Sequence, residues 1–164
     1  MEETKINDGR IPPQDLEAEK SLLGALLLSD AAFPNVLERI QAKDFYDPRH
    51  VDIFKGMTSL YAQHRPIDLM TVTSELKAQK TLKKIGGAPY LTELTNFVPT
   101  SSHTEAYTDI VAQASMRRQL IQAGTDIASA AYDSTEPIED LIGKAEKNLF
   151  DVSDQAIKTD YTKL

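Results

Sequence analysis

The sequence contains no cysteine, which excludes disulfides, thiolate nucleophiles and cysteine-ligated metals and fits a reducing compartment. No apolar run is long enough to cross a bilayer, and the opening MEETKINDGR lacks the apolar core of a secretion signal, so a cytoplasmic protein is expected. Positive charge is scarce as well. Acids outnumber bases 25 to 18, leaving a net charge of −7, and no basic block exceeds a pair (Lys83-Lys84, Arg117-Arg118). Nucleic-acid binding is driven by lysine and arginine neutralising phosphates, so tight direct DNA binding is not expected and protein partners are. Catalytic motifs are missing too. The single Gly-Lys pair, Gly143-Lys144, is followed by Ala145 and has no upstream glycine, so no phosphate-binding loop exists. His50, His64 and His103 show no H-x-x-x-H or H-E-x-x-H spacing and read as surface or helix-end residues rather than metal ligands. There is no G-x-S-x-G. Glu17 and Glu19 do not face each other on a helix, and Asp15 with Glu19 reads as a solvated pair complementing a helix dipole. No catalytic, cofactor or metal site is expected.

What is present is helical periodicity. Nothing alternates apolar and polar residues for long enough to make a sheet, and the 8 prolines cut the chain into helical lengths. Pro12 and Pro13 precede a helix over 14–29, in which Leu16, Leu23 and Leu27 recur at helical spacing, widened by Leu22 and Leu26. Further helices are expected over 31–41, with Pro34 tolerated in the first turn, and over 48–63, with Ile53, Phe54, Met57, Leu60 and Tyr61 on one face. Asp68 can cap a helix over 69–79. KKIGGAP (83–89) reads as a loop, and YLTELTNFV as a short helix stopped by Pro99. Residues 11–100 therefore read as a compact all-α head behind a flexible arm, 1–10.

The second part changes character. Met116, Leu120, Ala123, Ile127 and Ala130 step by 4, 3, 4, 3, the seam of a helix lying along another. After the DSTEP loop (133–137), Ile138, Ile142, Ala145, Leu149 and Val152 repeat that spacing. Two matched seams joined by a short loop predict a long antiparallel hairpin over 101–152; residues 153–164 lose the pattern and read as a linker. The first hairpin helix carries a second stripe, Tyr107, Ile110, Val111, Ala114, Ile121 and Ala128, which one partner helix cannot cover. Either the head folds back over it, or a second copy packs there in a four-helix bundle. The alanine-rich, long seam favours the second copy.

Taken in order, IPPQDLEAEKSLLGALLL, DFYDPRHVDIF, RPIDLMTVTSEL, IGGAPYLTEL, VPTSSHTEAYTDIV and RRQLIQAG resemble the N-terminal domain of the bacterial replicative DNA helicases, the DnaB-type hexameric family. The resemblance runs from about Arg10 to Val152. One departure is His103, where the family usually has asparagine; histidine caps poorly, so Ser101, Ser102 or Thr104 takes that role.

The resemblance implies a non-catalytic head-and-hairpin domain, followed in the full-length protein by an ATPase domain that holds ATP and magnesium and is not in this sequence. It implies self-association through hairpins, involving Tyr107, Ile110, Val111, Ala114, Met116, Leu120, Ile138, Ile142 and Leu149, into a trimer-of-dimers collar. It also implies docking of the C-terminal domain of primase and, in some systems, of the helicase loader. Carried onto matching positions, the primase contacts fall at Glu17, Tyr90, Ile121 and Ile127. Three of them have another reading: Glu17 complements the helix dipole, Tyr90 fits a core ring with its hydroxyl at the surface, and Ile127 lies on the intramolecular seam. Two further functions compete with the docking collar. One is a collar that guides single-stranded DNA, disfavoured by the charge; the other is a small enzyme, for which no constellation exists. The helicase-binding domain of primase shares a similar helical plan, but PPQDLEAEKSLLGALL and DFYDPRH side with the helicase.

Overall fold

The computed structural model describes residues 9–98, 103–133 and 135–161, with side chains as far as residue 156. Among them are seven α-helices, one 3-10 turn and no strand: α1 (Leu16–Leu28), α2 (Phe33–Arg39), the turn Ala42–Asp44, α3 (Pro48–Ala62), α4 (Leu69–Ala78), α5 (Gly87–Phe97), α6 (Thr104–Tyr132) and α7 (Ile138–Tyr161). The protein is all-α, a helical head followed by an antiparallel helical hairpin. The expected arm residues 1–8, the stop at Pro99 and the caps at Ser101 and Ser102 lie outside the described residues.

The head is built around α1. Asp15 caps it, its carboxylate accepting from the Ala18 N–H at 2.9 Å. Every residue from Leu22 to Leu27 is buried, so α1 is wrapped around its circumference instead of presenting one stripe. Burying each leucine removes its side chain from water for roughly 1.5–3 kcal/mol. Leu16, expected in that core, is partly exposed, as is Leu28. Gly24 is where α5 crosses: a β-carbon there would stand 2.1 Å from the Leu94 carbonyl oxygen. Only glycine allows that approach.

The remaining head helices start where their caps place them. Asp47 caps α3 with Pro48 at its first position, where a missing N–H costs nothing. Asp68 and Thr71 form a reciprocal capping box at α4. Ile53, Phe54, Met57 and Leu60 of α3 are buried with Val72, Leu76, Leu91 and Leu94, while Tyr61 keeps one side in water and sets its ring 5.4 Å from Phe33. α5 begins at Gly87, inside the segment expected to be loop, because Gly86 and Gly87 take φ of +104° and +74° and turn the chain early enough for Ala88 and Pro89 to fill the first turn.

Two compact units result, one of Gln14–Gln113 and one that joins Ala114–Leu164 to the residues just ahead of Gln14. The head thus reaches beyond residue 100. Val111 and Ala112 are members of its core, Tyr107 packs against it, and Arg39 of α2 is ion-paired with Asp109. The stripe read as a surface for a second copy is therefore covered by the head at Tyr107 and Val111.

In the hairpin unit, α7 continues nine residues past Val152, into the segment read as linker. No proline or glycine follows Gly143, so nothing interrupts the hydrogen-bond ladder. Arg118 donates to the Pro13 carbonyl at 2.8 Å.

Candidate functional site

The sequence-predicted residues fall on both units. Glu17 is exposed in the first turn of α1, and Tyr90 is in the first turn of α5 with 6% of its surface in water. Ile121 is exposed on α6, and Ile127 is half-buried there. Around Tyr90 the head assembles a polar cluster that sequence periodicity did not reveal.

Its centre is His50. Although read as a surface or helix-end residue, His50 has 0% of its area exposed, and Glu19, read as solvated, has 2%. His50 Nδ1 lies 2.7 Å from Glu19 Oε1, and Nε2 lies 2.7 Å from the Tyr90 hydroxyl. A carboxylate can only accept, which places the donor on Nδ1 and lets the Tyr90 O–H donate to Nε2. Glu19 also accepts the backbone N–H of Tyr46 at 2.8 Å and that of Asp47 at 3.3 Å. Three donors from α3 and the turn before it thus compensate a carboxylate buried on α1. The relay Glu19–His50–Tyr90 ties α1, α3 and α5 together.

Arg49 forms the outer layer. Its guanidinium carbon stands 4.3 Å from the centre of the Tyr90 ring, and its Nη2 is 2.8 Å from Asp47 Oδ2, with Nε at 3.2 Å from Oδ1. Burial alone would raise the Asp47 carboxyl; the Arg49 side-chain and backbone donors and the nearby His50 more than offset it, so the group is held below the usual carboxylate range. The hydrogen bond to Asp47 correspondingly raises Arg49. Burial pushes the Tyr90 phenol up to about 12. A tyrosine so shifted is a hydrogen-bond donor at neutral pH, and the cluster positions groups without presenting a nucleophile. No group of three or more metal-ligating side chains occurs among the described residues.

The sequence carried a partial signal for this cluster. Glu19 falls between Leu16 and Leu23 at spacings of three and four, on the apolar face of α1. In DFYDPRH, Asp47 as cap and Pro48 at the first position put His50 in the first turn of α3. What faces these residues is decided by the crossing of helices distant in sequence.

On the hairpin, the half-buried residues of α7 are Leu141, Ala145, Asn148, Val152, Asp154, Gln155 and Ala156, while Ile138, Ile142 and Leu149, assigned from spacing to the inward seam, are 64%, 52% and 49% exposed. The inward face is rotated from the expected one, and only Ala145 and Val152 belong to both. On α6, Ala123 is buried, Met116, Ile127, Ala130 and Ala114 are half-buried, and Ile110, Leu120 and Ile121 are exposed.

Residues 11–113 match the family model described as the DnaB-like helicase N-terminal domain. The chain is 39% identical over 158 residues to the replicative DNA helicase DnaB of Mycobacterium leprae, covering 95% of this chain and 26% of that protein. It is 41% identical over 144 residues to DnaB of Geobacillus stearothermophilus, covering 88% of this chain and 32% of that one. It therefore spans about a quarter to a third of the length of these two relatives. Among solved structures it is similar to the N-terminal domain of DnaB helicase from Mycobacterium tuberculosis, with a TM-score of 0.82 and 38% identity over 86% of this chain and 99% of that one. It shares its fold with the N-terminal domain of DnaB from Helicobacter pylori, a structure described together with its interactions with primase, at a TM-score of 0.62 and 22% identity over 71% of this chain and 91% of that one. The chain belongs to the DnaB-like helicase N-terminal domain family.

Proposed function

We propose that this chain is the collar of a cytoplasmic replicative helicase: hairpins pair two copies, pairs close into a trimer-of-dimers ring, and the collar docks the C-terminal domain of primase and, in some systems, the loader. ATP and magnesium are then bound by a region of the full-length protein outside this sequence. The observation that carries this reading is the apolar surface left on the hairpin, where Leu120, Ile121, Ile138, Ile142, Leu149 and Phe150 are all about half exposed or more. Each large aliphatic side chain left in water forgoes roughly 1.5–3 kcal/mol, and contiguous exposed apolar surface marks an interaction site. Membership of the family and the interaction with primase described for the Helicobacter pylori relative supply the partner.

The test combines light scattering on the 164-residue chain with calorimetric titration by the C-terminal domain of the cognate primase. A dimer or larger species is expected, converted to monomer by Ile142→Asp with Leu149→Asp at unchanged helicity, and primase binding should saturate. A double variant of unchanged size would remove the hairpin from the assembly. A dimeric sample that does not bind primase would remove the docking role.

A further inference from the structure

At the Tyr90 position the group within a partner's reach is not the tyrosine. Its hydroxyl is engaged by His50 Nε2 at 2.7 Å, only 6% of the residue meets water, and one face of its ring is covered by the Arg49 guanidinium at 4.3 Å. The Arg49 side chain is 42% exposed.

That guanidinium is held from two sides. Asp47 receives the Arg49 backbone N–H at 2.9 Å, Nε at 3.2 and 3.3 Å and Nη2 at 2.8 Å, and the aromatic ring supports it from below. Asp47 is itself fixed as the cap of α3, and Tyr90 is fixed by the Glu19–His50 relay. An arginine ordinarily gives up substantial rotamer freedom when it joins an interface. Here that freedom is already lost in the unbound protein. The bonds to Asp47 use Nε and Nη2, which leaves the Nη1 donors to serve another acceptor. A planar guanidinium can serve a second carboxylate on its remaining edge, which an ammonium on a flexible stem does not reproduce.

We infer that Arg49 is the residue this site presents to its partner, donating from its Nη1 edge to a carboxylate of the docked primase domain, with Tyr90, His50, Glu19 and Asp47 as the platform that holds it. The inference rests on the primase-docking reading and names a contact residue and a partner chemistry within it. The relay residues are positioning residues that act through Arg49. The charge of Glu93, which also acts on Arg49, disfavours a diffuse acidic surface and leaves a short-range, directional bond.

The discriminating experiment is calorimetric titration of the 164-residue chain with the C-terminal domain of the cognate primase. The variants are Arg49→Ala, Arg49→Lys, Tyr90→Phe, Tyr90→Ala and the double Tyr90→Ala/Arg49→Ala, each checked for helicity and thermal transition. Arg49→Ala should weaken binding about tenfold or more, as interface arginines do when truncated. Arg49→Lys should recover little of that, and Tyr90→Phe, which keeps the ring beneath the guanidinium, should stay within about threefold of wild type. The double variant should bind no worse than Arg49→Ala, since a platform has no effect once the group it supports is gone. If Tyr90→Ala fails to fold, Tyr90→Phe against Arg49→Ala carries the same contrast. Wild-type binding with an unimpaired Arg49→Ala overturns this inference and leaves primase docking intact; so does a Tyr90→Phe loss larger than that of Arg49→Ala, which would make the hydroxyl the contact. Absence of wild-type binding overturns the docking reading and the inference with it.

Discussion

A histidine between a carboxylate and a phenol, all three nearly sealed from water, has an energetic consequence that its neighbours in sequence do not share. Replacing His50 by alanine leaves Glu19 short of one donor and the Tyr90 hydroxyl without its acceptor. Leaving a buried polar group unsatisfied costs about 1–3 kcal/mol for each such group. His50→Ala should therefore lower urea-derived stability by that order, whereas exposed His103→Ala should stay within about 0.5 kcal/mol; equal effects would show that the relay contributes nothing. Asp47 adds a pH dependence with a definite sign. Its carboxyl titrates lower in the folded protein than the usual carboxylate, so its contribution is present above the unfolded value, about 3.9, and is lost as pH falls through the folded one. Asp47→Asn keeps a competent cap but removes the titration, so its stability should fall less steeply than that of wild type as acid is added below about pH 4. Unfolding midpoints measured from pH 5 to pH 3 on both proteins, estimates bracketing that value, decide it.

Helices in the head are placed by how closely they approach, and two glycines show the difference between a rigid and a yielding neighbour. A β-carbon on Gly24 meets the Leu94 backbone, oxygen at 2.1 Å and carbon at 3.0 Å, whereas one on Gly56 meets the Leu76 side-chain tip at 2.8 Å. Backbone cannot rotate away, so Gly24→Ala should separate α1 from α5 and destabilise by about 1–3 kcal/mol. Gly56→Ala gains up to about 1 kcal/mol of helix propensity while Leu76 adjusts its rotamer, and should come out near neutral. Thermal melts of the pair, read side by side, test whether the α1–α5 crossing is the tighter one. Helix existence was legible from spacing at this scale, and so was the cap at Asp68; Asp15, placed inside its helix by the spacing, and Asp47 cap the helices that follow them as well. The end of α7 was not, because loss of apolar spacing after Val152 was read as loss of helix. Periodicity reports which face is buried; an uninterrupted backbone ladder needs only the absence of proline and glycine.

For the whole molecule, the consequential boundary is the one between the units. α6 is one continuous helix of 29 residues, yet its first turns belong to the head and the rest to the hairpin. A fragment ending at Thr100 exposes the core surface that Val111, Ala112 and Tyr107 cover and removes the Asp109 partner of Arg39. Val111 alone accounts for roughly 1.5–3 kcal/mol of burial. A fragment ending at Gln113 should accordingly unfold at distinctly higher urea than one ending at Thr100. Equal midpoints would mean that the head is complete without α6.

Local chemistry in the chain was enough to determine the helices, the cap at Asp68, the head-then-hairpin order and the absence of a sheet among the described residues, because caps, prolines and apolar spacing act over three to seven residues. It also ordered the motifs that identify the family. Tertiary structure alone decided the rest. Glu19 and His50 lie 31 residues apart and become partners only when α1 and α3 pack, so each reads by itself as an ordinary surface residue. The rotation of α7 that turns Leu141 inward and leaves Ile142 in water depends on how one helix seats on another, and a heptad pattern with adjacent apolar residues satisfies either choice. Whether Val111 serves a second copy or the head was likewise open in the sequence. It was settled by the first turns of α6 lying where the head core needed a lid, since burial rewards the surface already held nearby over one that must be brought in by association.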